Sequence, residues 1–291
     1  MTGPACSVLA ENEPLAGTAP HALGWLVVEH PAAWGRDALR DSGIAPPIVA
    51  HVEAAERRAG LRFLAARRIG MDRRRSLDSS TRRVWLAWCA GRTPQTRTTT
   101  IDGLEQLLDW DLDGLTDGVF PSGTDQVTGN LEFICTHSKR DACCAVAGRE
   151  RAASVPLDLH ERVWECSHLG GHRFAATSVF LPSGRLYGRL GAFGAAQDVC
   201  EPAPTSLRGS SFLPAMLQSA ECAVRVDARL SATDSLSITE TSDPTVVDVT
   251  APDGARWLVE CEPSTFSSPA SCGGAEKERI TWQARIIERR S

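Results

Sequence analysis

Residues 131–150 read LEFICTHSKRDACCAVAGRE, and residues 163–190 read VWECSHLGGHRFAATSVFLPSGRLYGRL. Leu131 to Thr136 is a short apolar run of strand type, and Ala142 to Ala153 is expected to be a helix. Arg162 to Ser167 and Arg173 to Leu181 read as strands. Pro182-Ser-Gly184 marks a turn, and Arg185 to Leu190 is the returning strand of a hairpin. Phe212 to Leu230 then carries apolar residues at i, i+3 and i+4, the mark of a half-buried helix.

The preceding stretch follows the same order. Gly24 to His30 reads as a buried strand, and Pro46-Pro47 opens a helix running from Ile48 to Arg58. Leu61 to Arg67 and Arg83 to Cys89 are strands joined by the polar MDRRRSLDSSTR, with a strand over Thr98 to Ile101 and a helix over Gly103 to Trp110. Residues 1–20, rich in proline, are expected to lie extended, and Trp34-Gly-Arg36 leads into a short helical pattern. A βαβ opening, a β-hairpin and a closing helix make the thioredoxin-like pattern, here met twice. The fold expected is therefore α/β: a thioredoxin-like lobe over 1–125, and a second over 126–232 holding the cysteines and histidines. A β-rich extension over 233–291 follows, with strands at Ser235 to Thr241, Thr245 to Val249, Arg256 to Glu262 and Ile280 to Ile287 and a looser segment at 263–275.

A net charge of −5 argues against a general nucleic-acid binder, which needs a basic surface to neutralise phosphates. The clusters Arg73-Arg74-Arg75 and Arg289-Arg290 read as solvated faces. No stretch approaches the roughly 20 apolar residues of a membrane helix. The N-terminal MTGPACSVLAENEPLAG lacks the basic start of a secretory signal. Ten cysteines in such a chain point to a reducing, cytoplasmic setting, where thiols bind metals rather than form staples.

Two short segments concentrate metal-binding side chains: Cys135-Thr-His137 with Cys143-Cys144, and Cys166-Ser-His168-Leu-Gly-Gly-His172. Thiolate and imidazole are ligands for iron, zinc or copper. Gly170-Gly171 permits a tight loop that turns both imidazoles toward one point. His137 and Cys166 read as a supporting donor and a buried strand cysteine. Asp141 is a candidate helix cap, and Lys139, Arg140, Arg173 and Arg189 are either charges near the site or solvated surface. Cys6, Cys89, Cys200, Cys222, Cys261 and Cys272 read as small buried hydrophobes.

CTHSKRDACC, the VWECSHLGGHRFAATSVFLPSGRLYGRL stretch and Gln218-Ser-Ala-Glu221 resemble the sucrase/ferredoxin-like family of thioredoxin-like [2Fe–2S] proteins. Weaker likeness extends to CSVLAENEPLAGTAP, WLVVEHPAAWGRDAL and Ser271-Cys-Gly273. The resemblance implies a binuclear cluster with two cysteine and two histidine ligands, here Cys135, Cys144, His168 and His172. Cys143 is the alternative to Cys144, because at a helix start only one of two adjacent thiols faces a given iron. Two thiolates on one iron and two imidazoles on the other is the division seen in Rieske centres.

The expected function is one-electron transfer, proton-coupled through the imidazoles, with a protein partner such as a reductase supplying electrons. The chain has no GxGxxG or P-loop of its own. The rival is a Cys2His2 zinc module. A thiol-exchange enzyme would need a CxxC that is missing. A glycosidase would need paired carboxylates, and Asp109, Asp111 and Asp113 read as a solvated acidic loop.

Overall fold

A computed structural model describes residues 4–70, 81–91, 93–194, 199–230 and 235–290. The Arg73-Arg74-Arg75 cluster, most of the polar connection before Arg83 and the expected boundary at 232 lie outside them. The elements in chain order begin with a short helix α1 (Cys6–Leu9), strand β1 (Gly24–Glu29), helix α2 (Pro46–Ala59) and strands β2 (Leu61–Arg68), β3 (Arg82–Trp88), β4 (Gln95–Ile101) and β5 (Asp125–Gln126). They continue with β6 (Leu131–Cys135), α3 (Ala142–Ala153), β7 (Val163–Cys166), β8 (Ser178–Leu181), β9 (Arg185–Tyr187), β10 (Leu207–Ser210) and α4 (Ala215–Asp227). Strands β11 (Ser237–Glu240), β12 (Val246–Thr250), β13 (Arg256–Pro269) and β14 (Glu276–Arg290) follow.

Among the described residues ten strands form one mixed sheet, in the order β10-β9-β8-β6-β7-β2-β1-β3-β4-β5. Each half repeats one wiring. In the first, β1 and β2 are parallel across α2, and β3 runs antiparallel on the other side of β1. In the second, β6 and β7 are parallel across α3, and β8 runs antiparallel on the other side of β6. The halves meet where β2 pairs antiparallel with β7, Ala66 opposite Cys166. The expected boundary at 125 falls inside β5.

Sequence explains these elements locally. Pro46 opens α2 at a position whose amide needs no partner, and Gly60, at φ 64°, closes it in the left-handed conformation. Ile48, Val52, Ala55 and Ala59 line the buried face of α2. On the other side of the sheet, Trp25, Trp85, Phe133 and Trp164 pack with Cys135 and Cys144 in one core shared by both halves. Trp85 meets Phe133 and Trp164 edge-on at 5.4 and 4.7 Å between ring centres. Burial of a ring such as Phe133 contributes about 1.5–3 kcal/mol.

The last four strands form a separate antiparallel sheet, β11-β12-β13-β14. Val247, Val249, Trp257 and Val259 on this sheet cover Leu217, Ala220 and Val224 of α4, so that helix is packed by both sheets. No described helix is long and apolar enough to cross a membrane.

Several expectations are corrected. Residues 104–109 form a 3-10 helix rather than an α-helix, and no helix follows Trp34-Gly-Arg36. Cys6–Leu9 is helical within a stretch expected to be extended. His172–Phe174 is a 3-10 turn, so the strand expected from Arg173 starts only at Ser178. The segment expected to be loose at 263–275 is the end of a long hairpin, with Pro269 opposite Glu276. Its Ser/Pro composition hides strand pairing because that part of the hairpin leans on the N-terminal segment, not on an apolar core of its own.

Candidate metal centre

Strands β6 and β7 lie side by side with Cys135 opposite Cys166, so both chain segments leave the sheet at the same end. From β6 the chain turns through His137 into α3. From β7 it enters the loop Ser167–Gly171. Asp141 caps α3, its Oδ1 accepting the Cys143 N–H at 2.8 Å, as expected from the sequence. The helix starts close to the sheet because Gly148, one turn on, leaves room: a Cβ there would overlap the Cys135 carbonyl oxygen.

This arrangement brings Cys135, Cys144 and His168 together. Their ligand atoms all lie within 4.8 Å of one another. His168 Nδ1 is 3.9 Å from Cys135 Sγ and 3.8 Å from Cys144 Sγ. Both sulfurs are buried, while His168 is part-exposed. The Cys144 thiol, and after it His168, hydrogen-bond to the Cys135 sulfur and hold it well below the usual thiol range. The same bond, with burial, pushes the Cys144 thiol up, so the pair shares one readily lost proton.

His172 lies beside His168, ring centres 5.7 Å apart and nearly parallel. Its Nδ1 faces away from the first set, at 3.4 Å from Asp141 Oδ2 and 3.2 Å from Cys6 Sγ. A ring that donates through Nδ1 keeps its lone pair on Nε2. Burial, chiefly, lowers its pKa and so favours the neutral, ligand-competent imidazole. The loop that carries both histidines turns at Gly170 and Gly171, at φ 83° and 73°, where a side chain would be strained.

Cys143 faces elsewhere. Its Sγ lies 3.4 Å from Cys6 Sγ and 3.2 Å from Cys272 Sγ. Cys6 is buried as expected, whereas Cys272 is half-buried and Cys200 exposed, and Cys6 and Cys272 meet Cys143 at one point. Cys166 is buried and lies in neither set.

His137 holds the site from behind. Its Nδ1 accepts the His168 N–H at 3.2 Å, and its Nε2 lies 2.6 Å from the Gly35 carbonyl, to which it donates. Arg173 is paired with Glu13, and Arg189 donates to the Ala10 and Glu13 carbonyls. Both cations thus tie the N-terminal segment down, Arg173 half-buried and Arg189 exposed. Arg140, His137 and His168 line a cleft of about 250 Å³ together with Arg36, Arg40 and Arg62. Asp111 and Asp113 are engaged in a turn and an ion pair with Arg58.

One residue escaped the sequence reading. Arg208, on β10, is fully buried beneath the histidine loop, its Nη1 donating to the Gly170 carbonyl at 3.0 Å and its Nε to Thr18 Oγ1 at 3.1 Å. Burial lowers its pKa to about 9. The signal was faint: one arginine within the short LRGS run, in a region where no strand was expected.

A family model described as sucrase/ferredoxin-like matches residues 15–197, well over half of the chain. The chain belongs to the sucrase/ferredoxin-like family. That match includes all four expected ligands and leaves Cys6 and Cys272 outside. No curated protein and no solved structure matches this sucrase/ferredoxin-like chain.

Proposed function

We propose that the chain is a one-electron carrier, holding a [2Fe–2S] cluster on Cys135, Cys144, His168 and His172, its two sheet halves being thioredoxin-like lobes. The convergence of Cys135, Cys144 and His168 within 4.8 Å at one end of the sheet carries this reading. The residues fit the group: two buried sulfurs, whose mutual hydrogen bond favours loss of a proton, and two adjacent imidazoles, one with its Nδ1 engaged and its Nε2 lone pair left for a metal. A cluster of this kind supplies a single-electron couple whose potential rises when neutral imidazole replaces thiolate.

The chain's own residues do the rest. Cys6 and the nearby Asp141 carboxylate favour a proton on His172 Nδ1, and His137 anchors the His168 backbone. The sheet and α3 keep water from the sulfurs, while the part-exposed histidines face outward, where a proton or a protein partner such as a reductase reaches them. The cleft beside His168 carries both signs of charge, Arg36 and Arg140 with Asp37, Glu53 and Glu56, and offers a polar face to that partner.

Protein made with ample iron should be red-brown, with about two irons and two acid-labile sulfides per chain and an EPR signal on reduction. Its midpoint potential should fall as pH rises between about 6 and 9. His168→Cys and His172→Cys should each keep a coloured cluster at lower potential. Absence of labile sulfide would end the proposal. The same closeness of His168 Nδ1 to both sulfurs also suits one tetrahedral ion, so a colourless protein holding zinc would establish the rival instead.

A further inference from the structure

The sulfurs of Cys6, Cys143 and Cys272 come from three separate places: α1, the first turn of α3 and the tip of the β13–β14 hairpin. Cys6 and Cys272 are 266 residues apart in sequence. We propose that these three thiols and the Asp141 carboxylate form a second metal site, for a single divalent ion of the zinc class.

The geometry is that of a tetrahedron's corners. The sulfurs are 3.4 Å (Cys6 to Cys143), 3.2 Å (Cys143 to Cys272) and 3.6 Å (Cys6 to Cys272) apart. Asp141 Oδ1 lies 3.2 Å from Cys272 Sγ and 3.8 Å from Cys6 Sγ. Zinc bonds of about 2.3 Å to sulfur and 2.0–2.2 Å to oxygen give edges of about 3.8 Å between sulfurs and about 3.5 Å between sulfur and oxygen. The three sulfur edges are slightly shorter than that figure, and the two sulfur–oxygen edges fall on either side of it. Three soft donors and one hard donor match zinc better than the hard cations calcium and magnesium.

The surroundings hold the donors in place. Asp141 accepts the Cys143 N–H through Oδ1 and the Cys272 N–H through Oδ2, at 2.8 and 3.0 Å. Each carboxylate oxygen has two lone pairs, so one remains for a metal. Ser7 Oγ lies 3.3 Å from Cys143 Sγ, and His172 Nδ1 lies 3.2 Å from Cys6 Sγ. Both can donate to thiolates and neutralise part of the charge that three sulfurs would bring. A cleft of about 630 Å³ lined by Ser7, Val146, Pro269 and Gly273 opens directly onto Cys6, Cys143 and Cys272 and gives an ion its way in. Binding releases the thiol protons to solvent, so affinity should fall as pH drops.

The site shares no ligand with the proposed cluster, although His172 touches Cys6 and Asp141, and it can be tested by its own metal count. The full chain is produced with zinc and iron both supplied, and metals and labile sulfide are counted per chain. Cys6→Ser and Cys272→Ser should each lose about one ion and retain the iron and sulfide; Cys135→Ser should do the reverse. Since either serine variant could unfold the N-terminal segment, wild-type protein is also alkylated under native conditions. Cys6, Cys143 and Cys272 should resist the reagent until a chelator is added. A wild-type chain with no ion beyond those lost in Cys135→Ser, immediate labelling of the three thiols without chelator, or a disulfide among them would each overturn the proposal.

Discussion

His137 touches two backbone groups at once, and that double contact carries the order of the site back to His30. The Gly35 carbonyl that receives the His137 N–H sits in the loop 31–42, and His30 Nε2 pins the far end of that loop by donating to the Ser42 carbonyl at 3.0 Å. His30 is buried, and its Nδ1 meets no partner among the described residues. Burial, first, lowers its pKa from 6.5, so the folded chain resists a proton that the unfolded chain accepts. Stability should therefore be lost as pH falls below about 6.5, by up to about 1.4 kcal/mol for each unit of depression. The urea midpoint of the wild type should drop between about pH 7 and 5.5, and His30→Gln should remove part of that slope. Parallel pH profiles for the two would refute it. At this scale the sequence was informative about chemistry and silent about direction. The motif exposed Cys135, Cys144 and His168, whereas which way Cys143 turns depends on the two distant thiols it meets.

Helix α3 sets both thiol groups, because successive residues on a helix point about 100° apart. Cys144 faces the sheet end and Cys143 the N-terminal segment. The depth of the helix is fixed by Gly148 against the Cys135 carbonyl. Gly148→Ala should push α3 off β6, cost about 1–3 kcal/mol by overpacking and lower the yield of the proposed cluster, read from visible absorbance per chain. An unchanged cluster yield with unchanged urea stability would show that the helix has slack there. Strand and helix periodicity made most of these elements legible, including α2, α3, α4 and the β8–β9 hairpin. β10 and the outer half of β13 were not legible. The burial of LRGS comes from α4 and the histidine loop, and Ser264 to Pro269 gain their pairing from β14 rather than from any apolar pattern of their own.

Over the whole molecule, one carboxylate joins three regions that the sequence keeps apart. Glu13 is buried, accepts from Arg173 Nε at 2.7 Å and from Ser268 Oγ at 2.7 Å, and its carbonyl receives Arg189. Glu13→Ala leaves Arg173 without its counter-charge and should cost about 3–5 kcal/mol, measured by urea unfolding. A loss below about 1 kcal/mol would show the pair to be as weak as an exposed one. Glu13→Gln should recover part of the loss through the Ser268 contact. The repeated wiring of the halves could be read in advance from the order of the elements. Their fusion into one sheet through β2 and β7 could not, since pairing partners so far apart leave no local pattern.

The distance along the chain between Cys6 and Cys272 sets an order of events during synthesis. Cys135, Cys144, His168 and His172 leave the ribosome within one short run, and their strands can pair while the remainder is still being made. The three-thiol pocket cannot close until the hairpin tip has emerged, so until then Cys6 and Cys143 stand open to oxidants and stray metals. A nascent chain stalled before residue 272 should accordingly react with thiol reagents at Cys6, where the finished protein does not.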